Sequence, residues 1–300
     1  MPRSRPDVEV DAPGPSVEMT AEGVHPTAIV DPKATLGAGV RIGAFSVVGP
    51  EVTLGAGAAI GHHCVLEGRV EIGERVTVGH GSLLGGRPQD LKFRDETPSG
   101  VRVGADTTIR EYVTIHRATS AGGWTEIGSG CLLMVMCHVA HDCRIGDGSI
   151  IINFAGITGH CQIGDRATIG GYSGLVPFTR VGAYAYVGGY SRVNADVPPY
   201  VLVDGNPAVA HGINVVGLRR AGIGAADRRV LQDAYRLLYR SGLAPQRAVE
   251  RVREELPAVP PVTSLLDFIA GARRGICGAA QRGGSAVEDG SVPSSDSEPT

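Results

Sequence analysis

The sequence predicts a mainly β protein, in which a parallel β-helix of hexapeptide repeats is followed by a small C-terminal α-helical domain. An aliphatic residue recurs at every sixth position in three runs, Val24 to Leu84, Val103 to Ile115 and Ile127 to Val193. The residue two places earlier is usually small, as at Ala28 and Cys64, and the residue one place later is often glycine. A repeat of six matches neither the period of a helix nor the simple alternation of a strand.

Each hexad corresponds to one short strand and one corner of a triangular coil. The aliphatic side chain points inward, the small residue fits the narrow interior, and the glycine is expected to permit the corner. Three hexads make one coil of eighteen residues. Residues eighteen apart are therefore expected to stack at about 4.8 Å, the spacing of neighbouring strands.

Composition argues against several classes of protein. The 300 residues carry a net charge of −3 and only 5% aromatic residues, which argues against nucleic acid as a partner. No run of eighteen apolar residues is present, so no stable membrane insertion is expected. The N-terminus lacks the basic and then apolar order of a signal peptide, and a cytoplasmic protein is therefore expected.

Six cysteines raise the question of a metal or disulfide framework. Five of them occupy the small inward position of their hexads and are predicted to fill the core. These five are Cys64, Cys131, Cys137, Cys143 and Cys161. Cys143 and Cys161 should stack, but a disulfide between them is not expected in a reducing cytoplasm. Cys277 lies outside the frame and is expected to be a free thiol.

The termini and two interruptions divide the chain. Residues 1–23 are rich in Pro, Asp and Glu without periodicity and are predicted to be a disordered extension. Residues 24–199 are predicted to form the β-helix, with external loops near 86–102 and 116–126, where the aliphatic frame lapses. Residues 276–300, rich in Gly, Ser, Pro and acidic residues, are predicted to be a disordered tail.

Residues 200–275 are predicted to form the helical domain, because their apolar residues recur at helical spacing. Apolar residues from Val230 to Leu238 indicate one helix, and those from Val249 to Leu256 indicate a second. Ser264 with Asp267 predicts a capping box at the start of a third helix.

Reactive polar residues concentrate in the segment CHVAHDC, residues 137–143. The eighteen-residue repeat stacks His141 beneath Gly159 and Asp142 beneath His160, so these four residues are expected to form one patch. A histidine beside a carboxylate is a general base whose pKa its neighbours tune. A backbone N–H of Gly159 facing that base could stabilise an oxyanion. The alternative interpretation is that all four are solvated corner residues.

Histidine is also a metal ligand, and the chain holds several others. A carbonic anhydrase of hexapeptide fold binds zinc through three histidines, two of them separated by four residues. His138 and His141 have only two residues between them. No metal site is therefore expected. The other histidines noted are His62, His63, His80, His116 and His160.

Two further groups of polar residues are candidate ligand contacts. Gln89, Asp90 and Lys92 lie together on the first external loop, and Arg219 and Arg220 open the helical domain. Lysine and arginine bind phosphate, arginine through two parallel hydrogen bonds. The alternative for each residue taken alone is ordinary surface charge.

Seven segments together resemble the UDP-N-acetylglucosamine O-acyltransferase family, which performs the first step of lipid A synthesis. The segments are HPTAIV at 25–30, QDLK at 89–92, IREYVTIHR at 109–117, LLM and HVAHDC within 132–143, GH at 159–160, DVPPYV at 196–201, and GN, GIN and GLRR within 205–222. The resemblance covers about residues 24–275. The hexads alone would indicate only the superfamily, whereas QDLK, TIHR, HVAHDC and GLRR together are specific to this family.

The resemblance implies a left-handed β-helix and a homotrimer with active sites between subunits. It implies transfer of an (R)-3-hydroxyacyl group from acyl carrier protein to the 3-hydroxyl of UDP-N-acetylglucosamine, without a metal or dissociable cofactor. By position, His141 is the expected general base, Asp142 orients it, and the Gly159 amide faces the oxyanion. Gly189 occupies the place where the family measures acyl length. The residues expected to help bind the nucleotide sugar or acyl chain are Gln89, Asp90, Lys92, His138, His160, Asn214 and Arg220.

Four positions depart from the family pattern. Val176 and Pro177 replace a His-Gln pair, Val216 replaces a Glu, and Ala221 replaces a second Arg. They leave open another nucleotide sugar, for example one with a 3-amine, or another acyl donor. A non-catalytic trimeric scaffold and a metal enzyme such as a carbonic anhydrase are the remaining alternatives. The helical domain with its GLRR segment favours the acyltransferase over both.

Overall fold

The computed structural model describes residues 23–273 and 275–280, and most of them wind into a parallel β-helix. Each coil has three flat faces, and each face is built from parallel strands. We call the sheet that contains His138 the first face, and the sheets that follow it along each coil the second and third faces. The mainly β, hexapeptide-repeat fold predicted from the sequence is confirmed.

The strands of each face are short, most of them two residues long. The first face comprises β1 (Ile29–Val30), β4 (Val47–Val48), β7 (Val65–Leu66), β10 (Leu83–Gly86), β13 (Thr114–His116), β16 (His138–Val139), β19 (Gly156–Ile157), β22 (Gly174–Leu175) and β25 (Arg192–Val193). The second face comprises β2 (Thr35–Leu36), β5 (Val52–Leu54), β8 (Arg69–Ile72), β11 (Gly100–Val103), β14 (Trp124–Ile127), β17 (Arg144–Ile145), β20 (Gln162–Ile163) and β23 (Arg180–Val181). The third face comprises β3 (Arg41–Ile42), β6 (Ala59–Ile60), β9 (Thr77–Val78), β12 (Thr108–Ile109), β15 (Leu132–Leu133), β18 (Ile150–Ile151), β21 (Thr168–Ile169) and β24 (Tyr186–Val187).

The register repeats every eighteen residues except at two inserts and at the last coil, where Tyr186 pairs with Leu202. Val65 pairs with Leu83 eighteen residues later, but Leu83 pairs with Thr114 after 31 and Thr114 pairs with His138 after 24. The extra residues leave the coil between β10 and β11, as residues 87–99, and between β13 and β14, as residues 117–123. Both inserts belong to the coils that lead into His138.

The glycines that follow the aliphatic residues have a different cause from the one expected. A Cβ added at Gly43 would lie 2.6 Å from the backbone of Gly61, and one at Gly55 would lie 2.6 Å from the backbone of Glu74 and Gly73. These glycines are needed because successive coils approach closely. The left-handed backbone conformation of the corners falls two residues later, often on a non-glycine residue, such as His63 with φ of 56°.

The aliphatic frame and the small residues before it fill the interior. All five cysteines of the frame are buried free thiols. Val24 and Leu36, which were predicted to point inward, remain 44% and 36% exposed. They belong to the first coil, and only the following coil covers them within the described residues.

The C-terminal region differs from the predicted helical domain at both of its ends. Residues 201–213 still belong to the third face, where β26 (Val201–Asp204) pairs parallel with β24 and β27 (Val209–Ile213) pairs antiparallel with β26. Four helices follow, α1 (Val215–Arg220), α2 (Ala225–Arg240), α3 (Pro245–Glu255) and α4 (Pro260–Ala270). The capping box at Ser264 is wrong, because Ser264 lies inside α4, which begins at Pro260 after Val259.

Residues 276–280, assigned above to the tail, pack against the end of the coil. Ile276 forms a bridge to Asp196 and Ala279 forms one to Ala210. Cys277 is a free thiol, as expected, but it is buried, and its Sγ donates to the Ala195 carbonyl. The predicted extension before Gly23 and the rest of the tail, residues 281–300, lie outside the described residues.

The outer surfaces of the three faces differ in character. The second face carries a ladder of alternating charge, in which Arg102 pairs with Glu71 at 2.9 Å and Arg144 pairs with Glu126 at 3.4 Å. The outward positions of the first and third faces are mostly apolar or small, as at Val65. None of the described helices has the length and apolar character needed to cross a bilayer.

Candidate active site

The corner between the first and second faces brings the predicted patch together. His141 Nδ1 lies 2.8 Å from Asp142 Oδ2, and His160 Nε2 lies 3.7 Å from the same oxygen. The side chains of His141 and Asp142 are 15% and 14% exposed, while that of His160 is 38% exposed. The patch is therefore partly buried yet accessible to solvent, and the carboxylate of Asp142 lies close to both imidazoles.

Asp142 is held by the second insert. It accepts hydrogen bonds from the Thr119 backbone N–H at 3.1 Å and from the Thr119 hydroxyl at 2.7 Å. Burial alone would raise the pKa of Asp142, but the hydrogen bonds from Thr119 and from His141 outweigh it and hold that pKa below its ordinary value. The carboxylate is thus ionised near neutrality, and His141 donates its Nδ1 proton to it. The free lone pair of the imidazole is then on Nε2.

Gly159 lies directly against the His141 ring. A Cβ at this residue would come within 2.5 Å of His141 Cε1 and 2.7 Å of His141 Nε2. Only glycine leaves the ring in place, and the predicted stacking of Gly159 over His141 is what the structure has.

The Gly159 backbone N–H has no acceptor among the described residues. At this position of other coils the N–H donates to a side chain of the next coil, as Ala44 does to His62 Nδ1 at 2.8 Å. The residue eighteen places after Gly159 is Pro177, whose side chain has no acceptor atom. A donor beside the free nitrogen of a histidine is therefore left available to a bound group.

His160 is fixed by stacking. Its ring lies parallel to Phe178 with centroids 4.5 Å apart and forms an edge contact with His141. Both His160 and Phe178 adopt the left-handed corner conformation, with φ of 62° and 65°. The stack places the imidazole at the mouth of the patch.

His138 lies on the first face beside the patch. Its Nδ1 is 2.7 Å from the Thr114 hydroxyl, and burial, followed by the neighbouring His141, lowers its pKa. Its ring makes an edge contact with His116, a residue given no role in the sequence analysis. Burial lowers the pKa of His116 to about 4, with further contributions from His138 and His141. His116 lies in the TIHR segment, which is one of the family-specific motifs. Nothing in the hexad pattern indicated that its side chain would be buried.

The other predicted binding residues lie apart from this patch. Lys92 and Asp90 form a local turn, with the Lys92 N–H donating to Asp90 Oδ1 at 2.8 Å, and Gln89 is exposed beside them. Their loop is rooted near the patch, because Gly86 pairs with His116. No hydrogen bond or ion pair links these three side chains to the histidines within the described part of the chain.

Asn214, Arg220 and Gly189 lie toward the C-terminal end of the coil. Asn214 caps α1 by accepting from the Gly217 N–H at 3.0 Å and donates to the Tyr184 carbonyl. Arg220 ends that helix and is exposed. Gly189 lies above Gly171 at the corner between the third and first faces, and a Cβ there would meet only the Gly171 carbonyl oxygen at 3.3 Å.

His141, Asp142 and His160 also have a metal-like geometry. One potential ligand atom from each lies within 4.8 Å of the others. Asp142 Oδ2, however, already accepts from Thr119 and lies 2.8 Å from His141 Nδ1. The carboxylate of Asp142 therefore contacts both imidazoles directly, as a hydrogen-bonded general base requires. The absence of a metal ion stays a prediction.

Comparison with protein families identifies both parts of the chain. A model described as UDP N-acetylglucosamine O-acyltransferase, domain 2, matches residues 196–277. A model of bacterial transferase hexapeptide repeats matches residues 33–68 and 51–86.

Curated relatives match most of the chain. A protein of Thermodesulfovibrio yellowstonii named acyl-[acyl-carrier-protein]--UDP-N-acetylglucosamine O-acyltransferase is 44% identical over 255 residues, 85% of this chain and 98% of the relative. A protein of the same name from Sulfurihydrogenibium is 56% identical over 254 residues, 84% of this chain and 93% of the relative.

Solved structures of UDP-N-acetylglucosamine acyltransferases resemble this chain over most of its length. The structure of LpxA from Acinetobacter baumannii superposes with a TM-score of 0.81 at 40% identity, covering 85% of this chain and 99% of that one. The UDP-N-acetylglucosamine acyltransferase of Campylobacter jejuni superposes with a TM-score of 0.81 at 31% identity, covering 86% and 100%. The resemblance carried by the QDLK, HVAHDC and GLRR segments is thus confirmed, and the chain belongs to the UDP-N-acetylglucosamine O-acyltransferase family.

Proposed function

We propose that the chain transfers an (R)-3-hydroxyacyl group from acyl carrier protein to the 3-hydroxyl of UDP-N-acetylglucosamine, the first step of lipid A synthesis. One observation carries the proposal. An imidazole oriented by an ionised carboxylate presents its free nitrogen beside a backbone N–H that has no acceptor in the described chain. The printed names of the relatives supply the donor and acceptor.

His141 is the general base of this reaction. Its Nε2 takes the proton of the sugar hydroxyl as that oxygen attacks the thioester carbonyl carbon. A C–O bond forms, and the carbonyl electrons move to an oxyanion that accepts the Gly159 N–H. When the oxyanion collapses, the C–S bond breaks, and the departing sulfur of the carrier receives the proton from His141. Asp142 stabilises the imidazolium that exists between the two proton transfers.

Substrate binding is assigned to residues around this centre. His138 and His160 flank His141 and contact the acceptor sugar in this proposal. Gln89, Asp90 and Lys92 reach it from their loop, and Asn214 and Arg220 hold the nucleotide, with the guanidinium binding phosphate. Gly189 bounds the acyl chain. The thioester already activates the acyl group, so the mechanism calls for no cofactor.

A homotrimer with sites between subunits is part of the proposal. Exposed apolar faces on a monomer mark interaction surfaces. Here the outward positions of the first and third faces carry Val65, Leu132 and Ile150, whereas the second face carries the charged ladder. The first and third faces of neighbouring copies would cover one another, and the second face would contact solvent. We place the trimer in the cytoplasm.

A 3-amino sugar is the second candidate acceptor. Pro177 follows Gly159 in the coil where the family has a polar side chain, so the environment of the acceptor differs from the family pattern. An amine is a stronger nucleophile than a hydroxyl and depends less on a base.

A radiolabelled acceptor assay decides between the two acceptors. UDP-N-acetylglucosamine and its 3-amino analogue are each offered with a panel of 3-hydroxyacyl carrier proteins. Label should move into the acylated hydroxyl sugar, with the analogue slower at equal concentration. Faster transfer to the analogue would replace the proposed acceptor, and no transfer to either would reject the function.

A further inference from the structure

Two threonines hold Asp142 from opposite ends of the residue. The Thr119 hydroxyl donates to Asp142 Oδ2 at 2.7 Å, a length typical of a hydrogen bond to a carboxylate. The Thr119 backbone N–H lies 3.1 Å from Oδ2 and 3.3 Å from Oδ1. The Asp142 backbone N–H donates to the hydroxyl of the buried Thr125 at 2.9 Å. Thr125 therefore fixes the backbone of Asp142, and Thr119 fixes its carboxylate.

Two imidazoles lie within reach of the same carboxylate oxygen. Asp142 Oδ2 is 2.8 Å from His141 Nδ1 and 3.7 Å from His160 Nε2. The torsion that turns an aspartate carboxylate has broad minima, so the side chain alone does not determine which imidazole Oδ2 contacts. The two donors of Thr119 restrict this torsion and keep Oδ2 at hydrogen-bond distance from His141. The orientation of the His141 ring therefore depends on Thr119.

The position of Thr119 depends in turn on the first insert. The buried hydroxyl of Ser99, the last residue of that insert, donates to the Ala118 carbonyl at 2.5 Å. Ala118 is fully buried and directly precedes Thr119. The Gly122 N–H donates to the Pro98 carbonyl at 2.7 Å. The two inserts are therefore joined by hydrogen bonds on both sides of Thr119.

Arg117 joins the two inserts at a second place. Its guanidinium lies 5.1 Å from the centre of the Phe93 ring, close enough for a cation–π contact, and donates to the Asp95 carbonyl at 3.4 Å. The first insert also carries three residues that the proposed function assigns to the substrate, namely Gln89, Asp90 and Lys92. The loop that binds substrate in that proposal and the threonine that orients the carboxylate thus belong to one packed unit.

We propose that Thr119 is a positioning residue for the general base and that Ser99 acts through it, so that the two inserts together hold His141 in its reactive orientation. This role rests on the proposed acyltransferase function. Thr119 acts through the carboxylate of Asp142, and Ser99 acts one step further away, through the carbonyl that precedes Thr119. Both residues therefore govern turnover rather than affinity for the acceptor.

Thr119→Val tests the role of the hydroxyl, because it removes that group and keeps the shape of the side chain. The backbone N–H of residue 119 still contacts Asp142, so we expect kcat to fall by about 10- to 100-fold, as a small misplacement of a catalytic group does. The KM for UDP-N-acetylglucosamine should stay near the wild-type value, since the interaction serves the transition state. Thr119→Ser keeps the hydroxyl and should restore most of the turnover, and Thr119→Ala, which adds no bulk, should repeat the loss.

Thr53→Val is the matched control, because it makes the same chemical change at an exposed position of β5 on the second face. Its kcat should equal that of the wild type. Melting temperatures of all variants are measured alongside the kinetics.

Double mutants separate positioning from a general structural effect. In an Asp142→Ala protein the Thr119 hydroxyl has lost its acceptor, so adding Thr119→Val should lower kcat no further. Ser99→Ala alone should lower kcat by a smaller factor than Thr119→Val. Because Ser99 acts through Thr119, the loss in the Ser99→Ala, Thr119→Val double mutant should be smaller than the product of the two single losses.

Four results would overturn the proposal. One is a kcat of folded Thr119→Val equal to that of Thr53→Val. Another is the same further loss when Thr119→Val is added to Asp142→Ala, which would mean that Thr119 acts elsewhere. The third is a raised KM for the acceptor with unchanged kcat, which would make Thr119 a binding residue. The fourth is fully multiplicative loss with Ser99→Ala, which would remove Ser99 from the unit. Absence of transfer by the wild-type protein would instead reject the underlying function, so the two failures are distinguishable.

Discussion

Two corners of the coil share a backbone and differ in chemistry. Asp142 and His160 lie at the corner between the first and second faces, and Phe154 and Tyr172 lie at the corner between the third and first. All four adopt φ between 57° and 62°. One corner holds a hydrogen-bonded acid and imidazoles, and the other holds only stacked rings.

The difference lies in the residue just before each corner position. His141 precedes Asp142 and turns its ring onto Gly159, whereas Asn153 precedes Phe154 beneath Gly171 without such a partner. The coil therefore has the same backbone conformation at both corners, and a few side chains determine which of them carries the candidate catalytic groups. Because the scaffold is repeated, the chemistry can be removed at one corner without dismantling the fold.

Removal of the general base at the reactive corner should have the largest effect on activity. His141→Ala should lower kcat by roughly 10²–10⁴-fold, the contribution of a positioned general base. The side chain lies outside the aliphatic frame, so the fold should persist by circular dichroism. His62→Ala is the matched control, since His62 occupies the same place in its hexad. Near-wild-type turnover of His141→Ala would remove this residue from the mechanism.

Gly159→Ala should displace the base without deleting it. The new Cβ would fall within 2.5 Å of the His141 ring, which must rotate away from the acceptor. We expect kcat to fall by up to about 10²-fold, as a small misplacement of a catalytic group does. Steady-state kinetics with melting temperature measures it. Full activity in a folded variant would show that the ring has room to spare.

Gly189→Met should alter the preference for acyl length at the aromatic corner. Each buried methylene adds about 0.8 kcal/mol, and by family resemblance we expect the wild type to prefer chains of about fourteen carbons. Methionine fills the open space above Gly171 and should turn the preference toward ten carbons by about tenfold. Competition between ten-carbon and fourteen-carbon donors measures the ratio. An identical preference in the two proteins would show that Gly189 does not set the length.

His116 should make folding sensitive to mild acid. Its folded pKa of about 4 lies below the ordinary 6.5, so the unfolded chain binds the proton first as pH falls. Stability is fully present above pH 6.5 and declines as pH falls toward 4. His116→Leu should flatten this decline by an amount on the order of 1 kcal/mol. Urea unfolding at several pH values measures it, with exposed His63→Leu as the control. Parallel pH profiles for wild type and His116→Leu would contradict the assignment.

Chelation should have the smallest effect, namely none. The candidate metal ligands are already engaged with one another and with Thr119. Dialysis against a chelator should leave turnover and melting temperature unchanged. Stoichiometric zinc by elemental analysis, with activity lost on its removal, would revive the carbonic anhydrase alternative.

The periodic part of the molecule could be predicted and the aperiodic part could not. Stacking of His141 on Gly159 and of Asp142 near His160 follows from counting eighteen residues, since both pairs lie in uninterrupted coils. The anchor of Asp142 did not follow, because Thr119 lies in an insert whose path no repeat dictates. The reason for the frame glycines was also missed, because contact between coils is invisible to a period read along one chain.

In a perfectly periodic solenoid, every coil presents the same backbone to solvent. The repeat alone therefore cannot determine which coil carries a single active site. The inserts at residues 87–99 and 117–123 break this symmetry, and both leave the coils immediately before His138. One is rooted at the strand pair that seats His116, and the other carries Thr119 to Asp142. These two departures from the repeat therefore mark the level of the coil at which the candidate active site lies.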